Sequence, residues 1–197
     1  MKKKGLIVVL ALLMALCVGA GATLAYLMDK TDEVVNTFEY GDINIDLKED
    51  KLNADGTLDK NTPVNANTYK YVPGDTLNKR PYVVVKKDSE ACYLFVKVVE
   101  TNNSYSTVTD IIEWTVDTSI WTQVPGETNV WYKVIDATSA DTQYDILTGD
   151  QVTVSEDLTK EMINADDFKT PTLTFTAYAV QKDNVANVTA AWAIANS

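Results

Sequence analysis

Oxygen-bearing side chains recur at regular offsets between Lys51 and Thr62, where Asn53, Asp55, Gly56 and Asp59 take places 3, 5, 6 and 9 of an EF-hand-like loop. Such loops hold calcium through a carboxylate at the first place and a bidentate glutamate at the twelfth. Here those places carry Lys51 and Thr62, so the ion-holding charge is missing and the stretch reads as a solvated turn. Were an ion held at all, Asp50, Asp55 and Asp59 are the carboxylates within reach. Cys92 could act as a nucleophile only beside a base, and the chain contains no histidine. That absence removes HExxH zinc sites, Ser–His and Cys–His pairs and the imidazole general base. On an apolar strand face Cys92 reads as packing. Acidic residues are abundant enough for glycosidase-like carboxylate pairs, yet no spacing singles out one pair. Trp114, Trp121, Trp131, Trp192 and the tyrosines could line a sugar-binding face, but aromatics at strand positions ordinarily fill cores and cross-strand pairs. The expectation is a protein that is not an enzyme, with no catalytic residues, no metal site and no cofactor.

The elements that would position these residues belong to a folded chain. Its 197 residues are 46% hydrophobic and 23% charged, enough for one domain with its own core. Asp and Glu number 28 against 17 Lys and Arg, a formal charge of −11, which repels phosphate backbones and argues against nucleic acid as a partner. The two cysteines are Cys17 and Cys92, so cleavage after Cys17 leaves a single thiol and no internal disulfide.

Residues 1–25 read as a signal peptide. Lys2, Lys3 and Lys4 precede an uncharged run from Gly5 to Met28, and the small residues before Ala25 suit cleavage between Ala25 and Tyr26. The run is also long enough to span a membrane as an uncleaved anchor. Leu16, directly before Cys17, argues against lipidation. Residues 26–40 then form an arm with Leu27, Val34, Val35 and Phe38 among charges, readable as a strand or a free extension.

The remainder, 41–197, is read as a single β-sandwich domain. Asp42–Leu47 alternates as a half-buried strand, 48–70 is a long polar loop with room for a small hairpin, and Val72–Asp75 is a tight turn. Pro81–Lys87 and Cys92–Glu100 are expected to pair as a hairpin, with Cys92, Leu94, Val96 and Val98 on one face. Further strands are expected at Ile111–Val116, Val130–Ile135, Gln151–Val154 and Thr170–Gln181. The last should turn Leu173, Phe175, Ala177 and Ala179 inward. A short C-terminal helix is expected over Asn184–Ile194, capped by Asp183. Many short strands with little helix point to an all-β, antiparallel, jelly-roll-like sandwich.

Four stretches carry a family resemblance. Residues 21–47 (GATLAYLMDKTDEVVNTFEYGDINIDL) resemble the N-terminal signature of the TasA and camelysin family, and Tyr71–Leu77 resembles that family's PGD turn. Tyr144–Val154 is similar to its acidic-glycine turn, and Ala177–Asn184 with Ala190–Trp192 to its closing strand and helix. The resemblance implies a Gram-positive protein exported through a SipW-type signal peptidase to the extracellular matrix or cell surface. It implies a jelly-roll subunit of biofilm-matrix fibres, whose partner is a second copy of itself, with room for an accessory matrix protein. The donor strand would be the arm, with Leu27, Val34, Val35 and Phe38 filling a neighbour's groove by donor-strand complementation. The alternatives are a camelysin-like cell-surface metallopeptidase, for which this chain offers no histidine ligand, and a non-polymerising surface or adhesion protein.

Overall fold

The computed structural model describes residues 41–197. Its strands are β1 (Ile45–Leu52), β2 (Leu58–Val64), β3 (Thr76–Asn78), β4 (Pro81–Val85), β5 (Cys92–Thr101), β6 (Ile112–Glu113), β7 (Thr122–Gln123), β8 (Val130–Ile135), β9 (Thr142–Asp145), β10 (Gln151–Val154) and β11 (Thr172–Gln181). Two short helices are α1 (Lys160–Ile163), between β10 and β11, and α2 (Val188–Ala195) after β11. The strands pair antiparallel in three sheets, ordered β2-β1-β4-β9, β3-β10-β6 and β11-β5-β8-β7. The fold is an all-β antiparallel sandwich with a short C-terminal helix.

Alternation within the strands explains the layering. Cys92, Leu94, Val96 and Val98 of β5 are fully buried in the main core with Val83 and Val85 of β4. Leu173, Phe175, Ala177 and Ala179 of β11 pack on the same core. Each fully buried aliphatic side chain contributes about 1.5–3 kcal/mol. Phe95 points to the other face of β5 and is buried as well, because α2 covers it. There Trp192 sits 5.4 Å from the Phe95 ring and 5.4 Å from Tyr178, and its indole N–H donates to Glu127 at 3.0 Å. The Asn187 side chain caps α2 by accepting from the Ala190 amide, so the helix begins after the expected Asp183 cap. Asn184, in the stretch expected to be helical, has φ of +65°.

Three further expectations are corrected. Residues 48–70 are less loop than expected, and the small hairpin for which they had room is there: β1 runs on to Leu52 and β2 folds back on it, joined by a turn in which the Asn53 amide bonds the Thr57 carbonyl at 2.9 Å. Its polar side chains hid its extent, because β2 lies at a sheet edge and has mostly exposed positions. The runs beginning at Pro81 and Cys92 do not pair with each other. β4 pairs with β1 and β9, and β5 with β11 and β8. The six residues between them carry the chain from one sheet to the other, with Asp88 at φ +63° and the Thr138 amide bonded to the Ser89 carbonyl. The strand expected over Ile111–Val116 is reduced to Ile112–Glu113 plus a bridge from Val116 to Leu147. The turn at Val72–Asp75 is as expected: the Asp75 amide reaches the Val72 carbonyl at 3.0 Å and Gly74 has φ of +83°.

Candidate functional site

β11 is ten residues long and, among the described residues, lies at the edge of its sheet and is paired along one side only, by β5. Facing its first half across a cleft is the segment from Asn65 to Tyr71, which follows β2. Two hollows lie in that cleft. One, of about 330 Å³, is floored by Leu77, Ile112 and Val152 and walled by Tyr71 and by Thr170–Leu173. The other, of about 410 Å³, lies between Leu47, Asn65–Asn67 and Leu173–Phe175. Asn67, Lys79 and Leu173 line both, so the hollows adjoin. Leu47, Tyr71, Leu77, Leu173 and Phe175 all pack against the core and yet are only half-buried, because no element of the described residues lies over them here.

Between the hollows stands an ion pair. Lys79 Nζ lies 2.9 Å from Glu49 Oε1, and both residues are more than 90% buried. The Tyr69 hydroxyl donates to the same carboxylate oxygen. Burial and the neighbouring carboxylate raise the Tyr69 hydroxyl far above its ordinary pKa, so it stays a donor. The Lys79 ammonium also lies 4.9 Å from the Tyr69 ring centroid and 5.4 Å from that of Phe175. The first hollow is thus mainly apolar, whereas the second mixes Leu47, Leu173 and Phe175 with Lys48, Glu49, Asn65 and Lys79.

On the other side of β1 is a second charged knot. Asp50 is 1% exposed, and Arg80 reaches its Oδ2 at 3.0 Å while holding Asp145 at 2.9 Å. Arg80 Nε lies 3.3 Å from Asp150 without the alignment of a hydrogen bond, and Asp50 Oδ1 has no protein partner. Adjacent residues of a strand point to opposite faces, so Glu49 meets Lys79 in the cleft while Asp50 meets Arg80 behind it. Burial, with Asp145 and Asp50 nearby, raises the Asp150 carboxyl above the ordinary range despite Arg80.

The residues singled out by chemistry alone fall elsewhere. Asp55 accepts from the Thr57 amide and hydroxyl, and Asp59 from the Asn61 amide and the Thr62 hydroxyl, which holds both carboxyls below their ordinary pKa. Asp55 is a turn-forming acceptor in the exposed β1–β2 connection, Asp59 a local acceptor near the start of β2, and Asp50, named beside them, is spent on Arg80. Among the described residues no group of three or more Cys, Asp or Glu side chains is disposed to hold a metal ion. Cys92 is fully buried and its thiol is pushed up to about 11 by desolvation. Trp121 and Trp192 are buried, and Trp114 packs edge-on against Trp131 at 5.7 Å, so the tryptophans form no common face. Ala25, Tyr26, Leu27, Val34, Val35 and Phe38 lie outside the described residues. Among the described residues no helix is long and apolar enough to cross a membrane.

No family model, curated protein or solved structure matches the chain.

Sequence reasoning missed the Lys79–Glu49 and Arg80–Asp50 pairs. The available signal was the meeting of two adjacent acids at 49 and 50 with two adjacent bases at 79 and 80, each pair beside a strand run.

Proposed function

We propose that the protein is a secreted structural subunit of an extracellular matrix, which assembles with copies of itself by adding a strand to a sheet edge. The observation that carries this reading is that, among the described residues, β11 is a ten-residue edge strand with one side unpaired, beside a cleft with an exposed apolar lining. A long unpaired edge presents a row of backbone donors and acceptors to any extended segment, and native proteins ordinarily shorten, charge or cover such edges. β11 carries none of the usual blunting devices: its ten residues contain no proline and no charge. Main-chain pairing along an edge supplies affinity, and side-chain hollows beside it supply selectivity. The acidic, histidine-free composition and the N-terminal export signal support the same reading. So does the resemblance to the TasA and camelysin family.

The test is negative-stain microscopy of the purified secreted chain, concentrated at neutral pH. Fibres or oligomers that disappear when residues 26–40 are removed, with an unchanged circular-dichroism spectrum, are expected. A chain that stays monomeric under all conditions would refute the reading.

A further inference from the structure

We infer that Lys79 and Glu49 are a modification site: Lys79 Nζ and Glu49 Cδ condense to an amide, with release of one water, and so cross-link β1 to the segment that joins β3 to β4. The bond forms within one chain and needs no second copy.

Burial singles this pair out. Lys79 Nζ lies 2.9 Å from Glu49 Oε1, and only 10% and 9% of the two side chains are exposed. The carboxyl carbon is one bond beyond that oxygen, so the nitrogen and its target are held near reacting distance. The other lysine–carboxylate pairs of the described residues are Lys86 with Asp46 and Asp141, Lys87 with Asp88, and Lys182 with Asp136. Their side chains keep between 38% and 95% of their surface in water, and hydration holds them as ions. Arg80 meets Asp50 with a guanidinium that stays protonated, so that pair offers no amine. Around Lys79 the Tyr69 and Phe175 ring centroids lie 4.9 and 5.4 Å from Nζ. Keeping two charges out of water is costly, and a neutral amide made of the same atoms escapes that cost. Fixed neighbours also react as though at an effective concentration on the order of 10⁵–10⁸ M when well oriented.

The chemistry is a condensation that balances without a co-reactant. The ammonium passes one proton to Glu49 Oε2, and the neutral amine then attacks Cδ to form the N–C bond. A second proton follows from nitrogen to Oε2, whose bond to Cδ breaks as water departs, and one hydrogen stays on the amide nitrogen. Nothing is oxidised or reduced. The Tyr69 hydroxyl donates to Oε1, the oxygen on which negative charge gathers as the amine adds. A donor already aimed at that oxygen lowers the barrier. The hollows on either side of Lys79 give the water a way out. The joined residues are thirty positions apart, and the closed loop contains β2 and the 65–71 wall of the cleft. The bond ties β1, in one sheet, to the connection leaving β3, in another. Such a brace restricts the unfolded chain as a disulfide would, and the described residues hold one cysteine, Cys92, as a free thiol.

The experiment is mass spectrometry of the purified chain denatured in acid, which parts an ion pair and leaves an amide intact. The chain should be lighter by one water than its sequence counted from whichever N-terminus it carries, and the full sequence mass overturns the proposal. Trypsin should leave Lys79 uncut, with residues 49–51 joined to the peptide that begins at Tyr71, as read by fragmentation. An Asp-Gly step can also lose water by closing to a succinimide, so the place of the loss decides. A loss located at Asp55–Gly56, or a link on Asp50, overturns the bond to Glu49. Lys79→Arg keeps a charge beside Glu49 without an amine that can be acylated and should restore the full mass; a water loss that persists there overturns the proposal. Tyr69→Phe should leave a several-fold larger share of chain without the cross-link, and an unchanged share overturns the part given to Tyr69. A cross-linked chain that never forms fibres supports the amide and overturns the assembly reading, whereas fibres of full-mass chain do the reverse.

Discussion

Replacing Arg80 with methionine keeps the aliphatic stem beside Tyr82, whose ring centroid lies 5.6 Å from the guanidinium carbon, and removes only the charge and its donors. The three carboxylates it serves then fare differently. Asp145 and Asp150 keep about a third of their side-chain surface in water, but Asp50 keeps 1% and already has one oxygen without a protein partner. The cost therefore falls on Asp50, as an uncompensated buried charge. Breaking a buried pair by removing one partner costs about 3–5 kcal/mol. At about 2–4 °C per kcal/mol for a domain of this size, the melting temperature should fall on the order of 10 °C. Asp50→Asn on the Arg80→Met background removes the stranded charge and should recover about half of that loss. The coupling between the two sites should be at least about 2 kcal/mol, within the range seen for residues in one ion-pair network. Urea unfolding followed by tryptophan fluorescence measures all four corners of the cycle. A loss below about 1 kcal/mol for Arg80→Met, or no recovery in the double variant, would refute the claim that Asp50 is held out of water by this fold.

Other outcomes are expected from the same structure. Because the Asp150 carboxyl is raised in the folded state, the native protein binds protons there more readily than the unfolded chain, so this group's contribution worsens as pH rises from its unfolded value through the raised one. Asp150→Asn should consequently raise thermal stability at pH 7 and lose that advantage near pH 4, as followed by melting curves across the range. The Cys92 thiol, buried and pushed up to about 11, should react with an aromatic disulfide reagent only after denaturation, and reductant should leave the melting temperature unchanged. Gly74→Ala places a side chain at φ +83° and should cost about 1 kcal/mol in urea unfolding without abolishing the fold. Trp192→Ala opens the space between α2 and Phe95 and removes the bond to Glu127, and a loss of about 3–5 kcal/mol in the same assay is expected.

Strand alternation was readable from residue order because it depends on near neighbours. The face of β5 carrying Cys92, Leu94, Val96 and Val98, the inward set on β11, the turn at Gly74 and the sandwich class all follow from periods of two and from the torsional limits of proline and glycine. Which strands pair is another matter. β4 and β5 are separated by six residues and look like a hairpin, yet their partners come from residues 45–49, 142–145, 130–135 and 172–181. A short connection can turn within one sheet or cross between two, and the choice belongs to the core packed on either side. β2 was legible only as room for a small hairpin, for a related reason: most of its side chains face water, so the pairing that makes it a strand leaves no apolar period behind.

The candidate site divides along the same line. Composition alone sets the acidity of the chain and the lack of imidazole, since neither depends on folding. The cleft exists because, among the described residues, β11 ends its sheet with one side unpaired and 65–71 stands off from it. Charges thirty residues apart acquire their roles only when β1 brings Glu49 and Asp50 beside Lys79 and Arg80. The pleat of that one strand then sends neighbouring acids to opposite faces, one into an open cleft and one into a closed knot, and only the tertiary packing on each side decides which is which.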